Sequence, residues 1–196
     1  MGFISVLGQA HEFVRQRLHP GDIAVDATAG NGVDTLFLAQ RVGKRGHVYA
    51  FDIQQQALTN TRERLEKAGV LANVILIHDS HARLLDHLPE TVHGQVAAVM
   101  FNFGYLPGGD PSVITQIESS LSALKAALKV LKTGGIISAV LYRGHPGGEE
   151  EARAIYDFVS NLPSDRYEVY NYRPLNRRNA PELVAIGLKA SKSSKP

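Results

Sequence analysis

Short apolar runs alternate along this chain with longer amphipathic stretches, the pattern of a parallel sheet with crossover helices. The first amphipathic stretch, about 3–17, places Phe3, Val6, Leu7, Ala10 and Val14 on one helical face. A strand is expected at 23–27, a helix at 33–42, a strand at 47–52 and a helix at 55–68, which Gly69 closes as its C-cap. Strand three covers 73–77, a short helical segment carries Leu84, Leu85 and Leu88, and strand four, Val96 to Phe101, ends at Asn102. A helix near 112–131 stops at Gly134-Gly135 and strand five takes 136–142. Residues 149–161 read as a helix whose acidic first turn suits the positive end of its dipole. Two late strands, about 166–172 and 183–188, form a hairpin across an Arg-rich loop. The expected fold is α/β and Rossmann-like: a mostly parallel seven-stranded sheet with a C-terminal antiparallel hairpin and helices on both faces. One domain spans 1–190, and 191–196 form a disordered tail.

Ligands of open α/β sheets bind beyond the carboxyl ends of the strands. There the chain carries Asp26-Ala27-Thr28-Ala29-Gly30-Asn31-Gly32-Val33-Asp34-Thr35, a glycine turn between strand and helix. Glycine permits the tight turn and a close approach of backbone to ligand, and the helix start offers unpaired N–H groups. Asp52 ends the next strand twenty positions after Gly32, a spacing suited to gripping ribose hydroxyls. A dinucleotide fingerprint wants a third glycine where Thr35 stands, and Asp26 before the turn repels a pyrophosphate. S-adenosylmethionine, with a sulfonium, an ammonium and no phosphate, suits the acids Asp26, Asp52 and Asp79 better.

A second constellation, Asn102-Phe103-Gly104-Tyr105-Leu106-Pro107-Gly108-Gly109-Asp110, follows strand four. Its glycines and proline make it a shaped turn. The Asn102 carbonyl either accepts a hydrogen bond from a substrate amine or caps the turn. Phe103 or Tyr105 can stack on a base, or Phe103 belongs to the core. Tyr142-Arg143-Gly144-His145 ends strand five at the same edge, for substrate or phosphate contact or as a solvated loop. The eight histidines show no metal-ligand spacing, so no metal site is expected. No nucleophile stands with a positioned base, and direct methyl transfer requires none.

Composition narrows the setting. The 196 residues, 44% hydrophobic, suffice for one sizeable core. The absence of cysteine excludes disulfides and agrees with a reducing cytoplasm. No apolar run is long enough to span a membrane, so a cytoplasmic, membrane-free protein is expected. Residues 166–196 hold 7 Lys+Arg against 2 Asp+Glu, whereas 1–165 hold 14 against 17. Arg143, Arg173, Arg177 and Arg178 are thereby candidates for contact with a polyanion, while Lys189, Lys192 and Lys195 serve equally as a solubilising tail.

Taken in order, these motifs resemble those of class I S-adenosylmethionine-dependent methyltransferases. More narrowly, the chain is similar over roughly 1–188 to the bacterial MnmM-like group, once labelled rRNA methylases and understood as tRNA 5-(aminomethyl)-2-thiouridine methyltransferases. The resemblance is carried by Asp26 to Thr35, Tyr49-Ala50-Phe51-Asp52-Ile53-Gln54, Asn102 to Asp110, Tyr142 to His145 and Asn179-Ala180-Pro181. Phe103 stands where leucine is expected, and Ala180-Pro181 replaces a Pro-Pro. The resemblance implies cofactor contacts at Asn31, Gly32, Asp34, Asp52, Gln54, Ser80 and His81, to which the reading above adds Asp26, Gly30, Ile53 and Asp79. It implies as substrate the wobble uridine in the anticodon stem-loop of tRNA, its aminomethyl nitrogen receiving the methyl. Asn102 is the catalytic candidate; Phe103, Tyr105, Tyr142, Arg143, Arg173, Arg177 and Arg178 are the substrate candidates. Methylation of rRNA or another base, an NAD-dependent oxidoreductase, and a non-catalytic cofactor- and RNA-binding module remain open, as does homodimerisation.

Overall fold

The computed structural model describes residues 2–106, 108, 114–177 and 179–190. Among them seven strands form one sheet: β1 (Ile23–Asp26), β2 (His47–Asp52), β3 (Val74–His78), β4 (Val96–Phe103), β5 (Leu131–Leu141), β6 (Tyr167–Tyr172) and β7 (Glu182–Leu188). Their order is β3-β2-β1-β4-β5-β7-β6, with β7 antiparallel to both neighbours and the other pairings parallel. The chain therefore switches direction across the sheet between β1 and β4, where a crevice opens at the carboxyl edge.

Both sheet faces are covered, so the strands are apolar on alternate residues in both directions. Ala24, Val48, Met100, Val140 and Leu183 face a core shared with α1 (Val6–Arg15), α2 (Val33–Val42) and α3 (Gln55–Lys67). Val25, Phe51, Phe101 and Ile137 face the opposite core, shared with α4 (Leu84–His87), α5 (Ile117–Val130) and α6 (Gly148–Ser160). One row of partners runs Asn102, Val140, Leu183, Tyr172 across four strands. It puts Asn102 on the α1 face, because register partners in a sheet share a side.

The expected elements are present, but α1 is shorter at both ends than the expected 3–17, leaving Phe3 exposed before it, and two later boundaries are moved. α5 begins at Ile117, and Ile114 instead forms a β-bridge with Tyr105, closing the loop after β4. The expected residues 112 and 113 lie outside the described residues, as do Pro107, Gly109 and Asp110. β5 starts at Leu131, five positions early, because Val96 pairs with Leu131 while Ala98 already pairs with Ile136. Residues 132–135 bulge opposite Ala97, with Gly134 at φ +78°, so the glycine pair marks a turn within a strand and not the end of a helix. The tail 191–196 lies outside the described residues.

Candidate active site

The glycine turn is tied down from three sides. Asp26, fully buried at the tip of β1, accepts from the Thr28 N–H at 3.1 Å and the Thr35 hydroxyl at 2.6 Å. Burial first, then the nearby Asp34 carboxylate, pushes its pKa up to about 7. Gly32 caps α2 at φ +76°, and a Cβ there would lie 2.8 Å from the Thr61 Cα, so α3 packs where only glycine fits. From α3, Asn60 and Arg64 bond Asn31 at 2.9 and 2.7 Å, and the Thr61 hydroxyl donates to the Gly30 carbonyl.

Above the turn, at the switch point, lies a cavity of about 420 Å³. Gly30, Asn31, Asp34, Asp52, Ile53, Gln54, Asp79, Ser80 and His81 line it; Asp26 and Gly32 do not, being occupied beneath the turn. Asp52 accepts from the Gly30 and Gln54 N–H groups, each at 2.9 Å, one on each carboxylate oxygen. Burial raises its pKa against these donors and the Ile53 backbone N–H, which also reaches the carboxylate. A carboxylate has about four acceptor positions, so capacity remains for a ligand hydroxyl. Asp79 is engaged by His87 at 2.7 Å and Arg83 at 3.0 Å, and the His87 bond leads the contacts that hold its pKa low.

His81 is turned by a bond from Nδ1 to the Ala27 carbonyl at 3.2 Å, and burial lowers its pKa. With Nδ1 as donor, Nε2 is an acceptor, and it is buried with no partner among the described residues. A nucleobase amine at that position would satisfy it.

On the acceptor side, the Asn102 N–H donates to the Thr28 hydroxyl at 2.7 Å, and its side-chain Nδ2 donates to Asp34 Oδ2 at 2.6 Å. The amide is thereby oriented with Oδ1 as its remaining acceptor. The other Asp34 oxygen lies 2.6 Å from His11 Nε2. Tyr105 and Tyr142 also line the cavity, and burial followed by the Asp34 charge raises the Tyr142 pKa. Phe103 does not line it: the ring is buried, stacked on Phe101 at 4.9 Å in the opposite core, so its place is packing instead of base stacking.

The basic candidates lie elsewhere. Arg143 bonds Glu149 at 2.7 Å and the buried Glu182 at 3.1 Å, and Arg173 reaches the same Glu182 at 3.2 Å. Burial would raise Glu182, but Tyr156, Arg173 and Arg143 outweigh it and hold its pKa low. Neither arginine lines the cavity, because this carboxylate claims both. Arg177 is exposed on the hairpin loop, and Arg178 lies outside the described residues.

Several lining residues are not site candidates in the sequence, although Leu7 stands on the apolar face of the first helix. Leu7 and His11 come from α1, and Ile114, Thr115, Gln116 and Ser119 from the start of α5 and the loop before it. His11 follows Leu7 by one helical turn, on the flank of an apolar face, and nothing local marks it. Thr115 is held by the buried Glu151 of α6 at 2.8 Å, which also binds Ser120 at 2.6 Å.

A sheet of this order, with one antiparallel strand and an acid-walled cavity at its switch point, has the architecture of the Rossmann-like methyltransferases. Within that class, the chain belongs to the family described as "Putative rRNA methylase", whose profile matches residues 48–187. A chloroplastic tRNA (mnm(5)s(2)U34)-methyltransferase of Arabidopsis thaliana is 43% identical over 183 residues, 89% of this chain. The chain spans 66% of that relative's length. A "putative rRNA-methylase" from Clostridium thermocellum superposes with a TM-score of 0.91 at 39% identity, covering 96% of this chain and 100% of the other. SMU.1697c, a "putative methyltransferase" from Streptococcus mutans in complex with SAH, gives 0.85 at 39% identity over 95% and 99% of the two chains.

Proposed function

We propose that this protein is an S-adenosylmethionine-dependent N-methyltransferase acting on RNA, and that its substrate is the aminomethyl group of 5-aminomethyl-2-thiouridine at the tRNA wobble position. The observation that carries the cofactor is the charge of the cavity wall. Asp34, Asp52 and Asp79 line it, and among the described residues no Lys or Arg does. A pyrophosphate would meet the carboxylates of Asp34 and Asp52 with no lining Lys or Arg to offset them, whereas a sulfonium and an ammonium meet opposite charge. The orphaned Nε2 of His81 fits the amino edge of adenine, and the remaining acceptor capacity of Asp52 fits a ribose hydroxyl. The bound cofactor supplies an activated methyl group on its sulfonium.

The chain's own residues then have an orienting task. Asn102, fixed by Asp34 and Thr28, presents its Oδ1 to an N–H of the incoming amine. Tyr105 and Tyr142 line the cavity and offer their rings to a planar base. Holding a neutral amine within about 3–3.5 Å of the methyl carbon, opposite the sulfur, supplies most of the catalysis such a displacement needs. The exposed Arg177 on the connection between β6 and β7 supports contact with the anticodon stem-loop. Among the described residues no helix is long and apolar enough to cross a membrane, and with the absence of cysteine this supports a reducing, cytoplasmic setting.

The test is nucleoside mass spectrometry of tRNA rich in 5-aminomethyl-2-thiouridine after incubation with the purified protein and S-adenosylmethionine. Conversion to the methylaminomethyl nucleoside is the expected result. Methyl transfer to ribosomal RNA alone, the substrate in the family's description, overturns the choice of tRNA.

A further inference from the structure

An aliphatic primary amine has a pKa near that of lysine, about 10, so at pH 7 only on the order of one molecule in a thousand carries the lone pair that attacks. A site that methylates such an amine gains from a base beside it. His11 is placed for this by three observations. It lines the cavity from α1. Its ring lies flat on Phe37, centroids 4.1 Å apart and planes 2° from parallel. Its hydrogen bond runs through Nε2 to Asp34 Oδ1 at 2.6 Å, and Nδ1 has no hydrogen bond among the described residues. Asp34 uses its second oxygen for Asn102, so one carboxylate sets both the amide that orients the amine and the imidazole beside it.

We infer that Asp34 and His11 form a dyad that takes the proton from the substrate ammonium, with His11 Nδ1 as the accepting atom; this rests on the amine-methylating reading above. In the step, one N–H bond of the ammonium breaks, its electron pair stays on nitrogen, and the proton bonds to Nδ1. The imidazolium so formed faces the Asp34 carboxylate, which fixes the tautomer beforehand and stabilises the charge afterwards, as the carboxylate does in a Ser-His-Asp triad. His11 is 24% exposed at its side chain, so the proton then passes to solvent. The other charged groups around it are few. Glu12 and Arg15 pair with one another on the same helix, Arg15 also lying over the Phe37 ring. Asp26 stands behind Asp34, and the phenol of Tyr142 approaches the same carboxylate.

A purely structural ion pair between α1 and α2 would predict different measurements. The assay is methyl transfer to tRNA bearing aminomethyl-thiouridine by wild type, His11→Ala and His11→Gln, with SAH affinity by calorimetry and ¹⁵N NMR of the histidine nitrogens at pH 8. The dyad predicts that both variants keep SAH affinity within about twofold and lose roughly 10²–10³ in kcat. Their rates should climb with pH toward the pKa of the amine, and added imidazole should partly restore His11→Ala. The NMR should show a proton on Nε2 and a bare Nδ1. Wild-type kcat in either variant, or a proton on Nδ1, overturns the dyad. If wild type itself leaves the aminomethyl group untouched, the substrate reading falls and the dyad with it; an active wild type with unaffected variants removes the dyad alone.

Discussion

The Gly30 N–H points at Asp52 Oδ2 from 2.9 Å, joining the glycine turn after β1 to the tip of β2. The same carboxylate takes the Gln54 N–H on its other oxygen, so the proposed ribose grip also fixes the floor of the cavity. Asp52→Ala is expected to weaken S-adenosylmethionine binding by about 1.5–3 kcal/mol, roughly tenfold to a hundredfold, with a smaller change in Tm. Calorimetry on the folded variant decides it. Unchanged affinity removes Asp52 from the cofactor contacts.

Asn102 separates binding from turnover. Asn102→Ala is expected to lower kcat strongly at nearly constant cofactor affinity, since its amide faces Asp34 and the acceptor side. Asn102→Asp should be worse, because it puts a second carboxylate against Asp34 in place of a donor 2.6 Å away. Single-turnover rates beside calorimetric affinities give the comparison. Equal losses in both move Asn102 to the cofactor, and an active Ala variant makes it a turn cap.

Asp26 makes stability depend on pH. Its pKa is raised in the folded protein to about 7 from 3.8, so the native state keeps a proton that the unfolded chain releases between those values. Its contribution to stability is complete below about pH 4 and is lost as pH rises through about 7, a change on the order of a few kcal/mol. Urea unfolding of wild type and Asp26→Asn from pH 4.5 to 7.5 should show the difference between them moving against wild type as pH rises. A constant difference contradicts a protonated Asp26.

The arginines divide into two groups. Arg143→Ala should cost stability, about 1–3 kcal/mol, because the buried Glu182 loses one of its partners. Replacing Arg177 and Arg178 together should leave stability alone and flatten the salt dependence of tRNA binding by roughly one to two units of slope. Filter binding over a salt series checks the second, and wild-type slope in the double variant puts the tRNA on another face.

What the sequence made legible is local. The glycine turn, Asp52 at its strand end and Asn102 at the tip of β4 are each flagged by neighbours a few residues away. The rest depends on partners far along the chain. Arg143 looked available for phosphate until Glu182, 39 positions on, came to lie beside it. His11 carries no local mark, and only the fold brings it to Asp34, 23 residues later. Phe103 obeys strand alternation, which sends its ring to the side away from Asn102. Gly134-Gly135 announces a turn correctly, but a bulge inside β5 uses the same residue chemistry as a helix stop.

The single reversed strand has a consequence for what stands beside the cavity. Because β7 runs backward, β6 points the same way as β1 to β5, and the loop between β6 and β7 emerges on the same rim as the cavity. A fully parallel sheet would need a helix-bearing crossover there. Here the connection after Tyr172 starts from a two-strand clip whose pairing to β5 ends at Glu182 opposite Leu141. The register of the sheet, and the seating of Asn102 within it, is set by the pairing of β4, β5 and β7 and does not pass through that connection. The arm at the rim and the fixed amide beneath it thus rest on separate parts of one sheet.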